Sequence, residues 1–167
     1  IGDTSVHEYP TSEQLAEIAI SSSRVVRLFG FNPKVAFLSH STYGQPLTSR
    51  TKHIRDAVEI LKNKEVNFKF DGDMQPDVAL NKEYAELYPF SEIVGNANIL
   101  IMPGQHSAAI SYKIMKSLGG AKVIGPLLIG LGQPIEIAPL RSSTSDILNL
   151  ASVAAYSAGV INYKKPN

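Results

Sequence analysis

The sequence has no cysteine and no tryptophan in its 167 residues. Without cysteine the chain cannot form a disulfide, a thiolate metal site or a cysteine nucleophile, and this composition fits the reducing cytoplasm, where we expect the protein to reside. An excess of one charge is also lacking, because 16 Lys and Arg residues stand against 15 Asp and Glu residues and the net charge is +1. A nucleic-acid surface is normally a basic stripe with aromatic side chains, so no nucleic-acid partner is expected.

Long apolar runs are missing as well. A membrane-spanning helix needs about 20 apolar residues, and the longest candidate is interrupted by Pro126, Gly130, Gly132 and Pro134. We therefore expect no membrane segment. The remaining composition, 44% apolar and 19% charged, is typical of a globular protein. The length favours one domain that covers residues 1–167.

One stretch organises the predicted fold. An apolar run over 97–102 has the length of a strand and stops at Pro103, a helical pattern follows as far as 119–120, and a second β-branched run begins at once. Strand, helix and strand in this order predict a β-α-β unit. The helix is expected to turn four apolar side chains inward: Ile110, Ile114, Met115 and Leu118.

The rest of the chain alternates in the same way. Capping-box patterns predict one helix that begins after Thr11 and ends before Gly30, and another that begins after Ser143. Helical patterns also cover 49–63 and, more weakly, 77–87. Apolar runs typical of strands cover 34–38, 66–70, 123–131 and 135–138. This alternation favours an α/β fold with a mostly parallel sheet and helices on both faces.

Candidate functional residues follow the strands, because ligands of parallel sheets bind outside the carboxyl ends of the strands. Four such loops are predicted, at 39–44, 71–75, 103–107 and 139–143. His106, in the third loop, has no partner at metal-ligand spacing, so no metal site is predicted there.

The first two loops leave alternatives open. Ser39, Ser41 and Thr42 offer hydroxyl groups that could hold an anion, but this loop lacks the glycines and the lysine of a P-loop and could equally be a polar turn that caps the next helix. Asp71 and Asp73 could bind a hydrated divalent ion or orient a ribose or amide group. An Asp-Gly turn also occurs for backbone reasons alone.

The role of Asp146 also has two possible interpretations. At the third position of a predicted helix, a carboxylate caps the helix and interacts favourably with its dipole. Asp146 also follows the loop 139–143, where a base could meet a ligand. The sequence alone leaves both readings open.

Together these motifs resemble one family, the phosphate acetyl- and butyryltransferases, and more closely the phosphotransacetylase-like C-terminal region of the large bacterial NADP-dependent malic enzymes. The resembling stretches are 38–44, 70–77, 97–103, 118–126 and 145–150. The resemblance implies an isocitrate dehydrogenase-like fold of which this chain is the C-terminal half. It would form one wall of the cleft in which coenzyme A and acyl phosphate meet.

The resemblance also implies the site residues. The family's catalytic-region aspartate falls on Asp146, and Arg141 is the nearest cation that could take part in catalysis if the protein is active. The predicted ligand-binding residues are Ser39, Ser41, Thr42, Asp71, Asp73, Gln75, Pro139, Ser142 and Ser143.

Departures from the family concern the catalytic groups. Active members carry a Ser-Arg pair where this sequence has Pro139 and Leu140, and polar residues where it has Gly104 and Ala109. Proline and leucine cannot bind a phosphate or stabilise a developing oxyanion as serine and arginine do. A pocket that lacks transition-state groups is expected to bind without turnover.

The leading hypothesis is therefore an acetyl-CoA-sensing, non-catalytic regulatory segment of an NADP-dependent malic enzyme, whose NADP, divalent metal and malate chemistry belong to separate N-terminal domains. The alternative is an active phosphate acetyltransferase that moves an acetyl group between acetyl phosphate and coenzyme A, with Asp146 helping to deprotonate the thiol. A third class is a purely structural assembly domain. The expected partners are acetyl-CoA or coenzyme A, the malic-enzyme domains of the same chain and further copies in a homo-oligomer.

Overall fold

The computed structural model of the chain describes residues 1–3, 5–120 and 123–163, with side chains described as far as Gly159. The chain divides into two compact units, Ile1–Lys113 and Ile114–Asn167. The sheet lies in the first unit, and the second unit contains the last helix.

Three parallel strands form the sheet in the order β2-β1-β3. They are β1 (Lys34–Leu38), β2 (Lys69–Met74) and β3 (Ile99–Ile101). Gly2 forms a single parallel bridge on the other side of β3, where its N–H donates to the carbonyl of Leu100 at 2.8 Å. The predicted α/β fold with a parallel sheet is confirmed.

Five α-helices and one 3₁₀ helix accompany these strands within the described part of the chain. They are α1 (Ser12–Leu28), α2 (Ser49–Lys62), α3 (Pro76–Leu80), the 3₁₀ helix (Lys82–Glu86), α4 (Gln105–Leu118) and α5 (Thr144–Tyr163). None of the described helices is long and apolar enough to cross a membrane.

The start of α1 follows directly from its sequence. The Thr11 hydroxyl accepts a hydrogen bond from the backbone N–H of Gln14 at 3.3 Å, and the Gln14 side chain accepts one from the N–H of Thr11 at 2.9 Å. This pair is the predicted capping box, which satisfies two backbone donors that the helix itself leaves unpaired. Thr48 and Thr51 form the same arrangement at the start of α2.

Both faces of the sheet are covered, and β1 contributes to both cores because successive side chains of a strand point to opposite faces. Val35 and Phe37 pack with α1 and α2 on one face. Ala36 and Leu38 pack on the other face with a second group, which includes Met74, Val78, Ala79, Ile93, Val94, Met102 and Ala108. Each large apolar side chain buried in this way stabilises the fold by about 1.5–3 kcal/mol.

The predicted bounds of β2 are wrong. The sequence indicates a strand over 66–70 followed by a loop over 71–75, whereas β2 continues to Met74. Gly72 permits this close approach to β1, because a Cβ atom at this position would lie 2.7 Å from the carbonyl oxygen of Phe37. Asp73 is the extra residue of an irregularity, since Phe37 pairs with Gly72 and Leu38 pairs with Met74.

The strands predicted at 123–131 and 135–138 are also wrong, because residues 123–143 contain no strand. Gly125, Pro126 and Gly130 interrupt the first run, and proline cannot donate to a strand ladder. The N–H of Leu128 donates instead to the Glu136 carboxylate at 3.0 Å. The second strand of the predicted β-α-β unit is therefore missing from these residues.

The apolar side of α4 differs from its prediction too. The helix itself is confirmed, but Ile110, Ile114 and Met115 are about half exposed and Leu118 is more exposed still. Ala108 is the one residue of α4 that is fully buried. A helical stripe in the sequence indicates which side chains share a face, and it does not show that this chain covers that face.

Candidate functional site

The loop after β1 lies against the end of β2. The N–H of Ser39 donates to the carbonyl of Met74 at 2.9 Å, and the N–H of Tyr43 donates to the carbonyl of Asp73 at 2.7 Å. The structure thus brings together two of the predicted groups of site residues, at the carboxyl edge of the parallel strands.

A buried polar pair joins these two segments. Ser41 and Asp73 are both fully buried, and the Ser41 hydroxyl donates a hydrogen bond to Oδ2 of Asp73. The N–H of Ser41 donates to the hydroxyl of Ser39 at 3.2 Å. Oδ1 of Asp73 makes no hydrogen bond with the described residues. A buried carboxylate is stable only when it is well bonded, so Asp73 depends strongly on Ser41.

Thr42 and Gln75 form a second connection. The N–H of Gln75 donates to the Thr42 hydroxyl at 3.1 Å, and the Gln75 side-chain amide donates to the carbonyl of His40 at 3.0 Å. The hydroxyl groups of Ser39, Ser41 and Thr42 therefore take part in hydrogen bonds within the protein. Their predicted role as ligand-binding groups remains a prediction, and His40 is the exposed residue at this point of the loop.

The side-chain hydroxyl and the backbone N–H of Tyr43 are both hydrogen-bonded within the protein. Its hydroxyl donates to Oδ2 of Asp71 at 2.8 Å, and its backbone has a positive φ of 51°, an uncommon conformation for a residue other than glycine. Burial, as the largest effect, raises the pKa of the Tyr43 hydroxyl above its usual value. The hydroxyl thus remains protonated and donates to a carboxylate at neutral pH.

A group of aromatic side chains around Tyr43 was not indicated by the sequence analysis. The ring of Tyr43 lies 5.5 Å from that of Tyr88 and 4.9 Å from that of Phe90, between ring centres. These rings border a cleft of about 430 Å³ that is also lined by Thr42, Gln45, Gln75, Asp77, Val78, Tyr84 and Leu87. We call it the aromatic cleft. The available signal was the density of aromatic residues over 84–90.

The remaining predicted residues lie at the start of α5 in the second unit. The hydroxyl and the N–H of Ser143 donate to Oδ2 of Asp146 at 2.8 and 3.0 Å, and the N–H of Asp146 donates to the Ser143 hydroxyl at 3.2 Å. This is the predicted capping box. The N–H and hydroxyl of Ser142 both donate to the carbonyl of Pro139, at 2.9 and 2.7 Å. Arg141 is exposed.

The predicted site residues thus form two groups in different units, 39–75 in the first and 139–146 in the second. Within the described residues, no three His, Asp or Glu side chains come together in a way that could hold a metal ion. The chemistry available in the first group is hydrogen bonding to buried serine and aspartate. In the second group it is a helix start with an exposed cation nearby.

Comparison with known proteins gives consistent matches. Residues 1–155 match the family described as "Phosphate acetyl/butaryl transferase". The chain is 48% identical to the NADP-dependent malic enzyme of Rhizobium meliloti over 95% of the chain and 21% of the enzyme. It is 38% identical to the phosphate acetyltransferase of Bacillus subtilis, over 93% of the chain and 49% of that enzyme.

A solved structure agrees with these matches. A phosphotransacetylase from Streptococcus pyogenes superposes with a TM-score of 0.90 at 35% identity, over 95% of this chain and 49% of that one. The chain therefore spans about half the length of these two transferases and about a fifth of the length of the malic enzyme.

Proposed function

Because the chain belongs to the phosphate acetyl/butyryltransferase family, we propose that it binds acetyl-CoA or coenzyme A without turning it over, as a regulatory segment of an NADP-dependent malic enzyme. Membership confirms the resemblance predicted from the sequence. The similarity to a malic enzyme at 48% identity supports the second half of the proposal. NADP, a divalent metal and malate decarboxylation belong, in this proposal, to other parts of that longer protein.

The observation that carries the proposal is the turn before α5. Pro139 and Leu140 stand where the resemblance places the Ser-Arg pair of active members, and the Leu140 side chain is fully exposed. Neither side chain can donate a hydrogen bond to phosphate or to a developing oxyanion. The Asp146 carboxylate accepts two hydrogen bonds from Ser143 and thereby caps the helix. Binding without turnover fits these groups better than acyl transfer does.

The ligand-binding residues of the proposal are those predicted above. In the second group of predicted site residues, at 139–146, Ser142 and Ser143 would bind the ligand. In the first group, Gln75 and the exposed residue His40 offer polar contacts, while the buried Ser41–Asp73 pair holds the loop against β2. These residues support a preformed loop, which reduces the entropy that ligand binding must overcome.

Regulation requires more than binding. Acetyl-CoA can change malate turnover only if it binds two states of the whole enzyme with different affinity. We propose that this segment binds acetyl-CoA with a different affinity in each of the two states. Bound acetyl-CoA would then change the affinity for malate, and bound malate would change the affinity for acetyl-CoA by the same factor.

Titration of the full-length enzyme with acetyl-CoA tests the proposal. We expect a saturable change in the rate of malate oxidation and an increase in thermal stability, since a ligand of the native state raises the midpoint of unfolding. Acetyl phosphate with coenzyme A should give no acetyl-CoA. An enzyme whose rate and stability are both unaffected by acetyl-CoA would contradict the proposal.

The alternative function is an active phosphate acetyltransferase. It is favoured by the 38% identity to the Bacillus subtilis transferase and by the presence of Asp146. In this case Asp146 would help to deprotonate the coenzyme thiol, and Arg141 would hold phosphate. Acetyl-CoA formation that is lost in Asp146→Asn but retained in Ser152→Ala would favour the alternative.

Self-association in the cytoplasm is part of the same proposal. In the second unit Leu150 is buried, whereas Ile114, Ile137 and Leu148 are among many large apolar side chains that remain half exposed or more. Contiguous exposed apolar surface commonly marks an interface. Sedimentation of the purified protein at several concentrations would test for a homo-oligomer.

A further inference from the structure

The side chain of Arg55 in α2 lies directly against the loop after β1. A Cβ atom at Gly44, in that loop, would lie 2.9 Å from Nη1 and 3.6 Å from Cζ of Arg55. Gly44 has a positive φ of 79°, and its missing side chain leaves the space beside which the guanidinium group lies. The structure therefore places a cation next to the loop at the carboxyl edge of the parallel strands.

Arg55 also lines a cleft of about 480 Å³ beside α2, and Leu47, Lys52, Asp56 and Glu59 are among the other lining residues. We call it the arginine cleft. Its volume lies within the range of small-molecule sites in proteins, about 300–1,000 Å³. Leu47 is 65% exposed, so the cleft presents an uncovered apolar side chain as well as a cation. A ligand with an apolar part and an anionic part would suit both.

The other charged side chains of the arginine cleft are already paired. Nζ of Lys52 lies 2.9 Å from Oδ2 of Asp56, and Oε1 of Glu59 lies 2.7 Å from Nζ of Lys62. Arg55 forms no hydrogen bond or ion pair with the residues that the structure describes. A guanidinium group has five N–H donors in a planar fork that matches the oxygens of a phosphate. The donors of Arg55 are thus available to an anion.

The proposed ligand requires such a cation, because acetyl-CoA carries several phosphate groups. The site residues predicted in the first unit have hydroxyl, amide and carboxylate side chains, and none of them is positively charged. In the second unit, Leu140 stands where the resemblance places an arginine. A hydrogen bond to an ionised group is roughly twice as strong as one between neutral groups. Arg55 therefore offers a contact that the predicted residues of the first unit lack.

We propose that Arg55 binds a phosphate group of acetyl-CoA or coenzyme A in the arginine cleft. The guanidinium group would donate to the phosphate oxygens, and an apolar part of the ligand would lie against Leu47. This inference rests on the proposed function, because it names the residue that recognises the anionic part of the same ligand.

Calorimetric titration of the full-length enzyme with acetyl-CoA, and separately with inorganic pyrophosphate, tests the inference. Arg55→Gln should weaken the binding of acetyl-CoA by about fivefold or more, because a hydrogen bond to a charged group is lost. Arg55→Lys keeps the charge without the planar fork and should lose less. Arg24→Gln removes another exposed arginine of the first unit and is the matched control, which should bind like the unchanged protein. Added salt should weaken binding to the unchanged protein more steeply than binding to Arg55→Gln.

The outcomes separate this inference from the proposed function. Equal affinity of the unchanged protein and Arg55→Gln for acetyl-CoA would overturn the role of Arg55 and leave the proposed function standing. An equal loss in Arg55→Gln and Arg24→Gln would also overturn it, since it would show a general effect of charge. Binding of pyrophosphate that depends on Arg55, without binding of acetyl-CoA, would contradict the proposed function but support Arg55 as an anion-binding residue. No binding of either ligand at about 1 mM would overturn both.

Discussion

The hydroxyl group of Ser41 donates a hydrogen bond to the carboxylate of Asp73, and both side chains are fully buried. The bond connects the loop after β1 to the end of β2. Ser41 is the side chain that donates to Asp73. The second carboxylate oxygen of Asp73 has no hydrogen-bond partner among the described residues. Ser41 is therefore one of several residues that hold this loop against β2, and it is the one that pairs with the buried carboxylate.

Ser41→Ala should destabilise the protein by about 1–3 kcal/mol, because it leaves a buried carboxylate without its hydrogen-bond donor. Urea unfolding followed by circular dichroism measures the change. Ser152→Ala, at an exposed helical position, should stay within about 0.5 kcal/mol of the unchanged protein. Equal stability of the two variants would show that the Ser41–Asp73 bond does not stabilise the fold.

Gly72→Ala should be more disruptive, since the added Cβ would lie 2.7 Å from both the Cβ and the carbonyl oxygen of Phe37 and the backbone has a positive φ of 151°. We expect a loss of about 2–4 kcal/mol, comparable to other substitutions that impose strain at a special backbone conformation. Gly132→Ala is the control, because a Cβ there meets no atom within 4 Å. Thermal unfolding should separate the two variants clearly, and a stable Gly72→Ala protein would contradict the tight packing of β2 on β1.

Asp3 should make the stability depend on acid pH. Burial alone would raise the pKa of the Asp3 carboxyl, but backbone N–H groups of Val6, Ser5 and His7 and the His7 ring donate to it, and together they lower its pKa below the usual value. A carboxyl whose pKa is lower in the folded state stabilises the protein fully above its unfolded pKa of about 3.9. The contribution is lost as the pH falls through the lower folded value.

Denaturant unfolding between neutral pH and about pH 3 tests this prediction. The unchanged protein should lose more stability over this range than Asp3→Asn, which has no carboxylate to protonate. Glu86→Gln removes an exposed carboxylate and should retain the pH dependence of the unchanged protein. Parallel curves for the unchanged protein and Asp3→Asn would refute the role of Asp3.

The capping box at α5 should act as a unit. Ser143→Ala and Asp146→Ala should each destabilise the helix start by about 1 kcal/mol, because each removes one member of the reciprocal pair. The double variant should lose less than the sum, since the two residues share the same bonds. Helicity and urea unfolding measure this loss, and additive effects would show that the two residues cap the helix independently.

Local patterns accounted for the parts of the fold that local interactions determine. Thr11 and Gln14 are three residues apart, so their capping box could be predicted from the sequence. The end of β2 could not, because it depends on the contact between Gly72 and Phe37, which are distant along the chain. The apolar runs over 123–131 and 135–138 have the composition of strands, but strand formation also requires a neighbouring strand that pairs with the backbone groups.

In the candidate site, too, some features could be predicted from the sequence, whereas those that depend on contacts between distant residues could not. The meeting of the loop at 39–44 with the end of β2 was predictable from the rule that parallel strands end at one edge. The inward bonding of Ser41 was not, because its partner Asp73 belongs to another strand. The aromatic cleft was missed for a similar reason, since Tyr43 and Phe90 come from separate segments and neither forms a recognisable motif alone.

The bridge between Gly2 and Ile101 has a consequence for handling the protein. An unpaired edge strand is a template for pairing with other chains, and Gly2 occupies part of the outer edge of β3. A Cβ at Gly2 would lie 2.8 Å from the Ile101 side chain, so the segment fits closely there. A larger residue such as valine at Gly2 would displace this segment and open the edge, and the Gly2→Val variant should aggregate more readily than the unchanged protein.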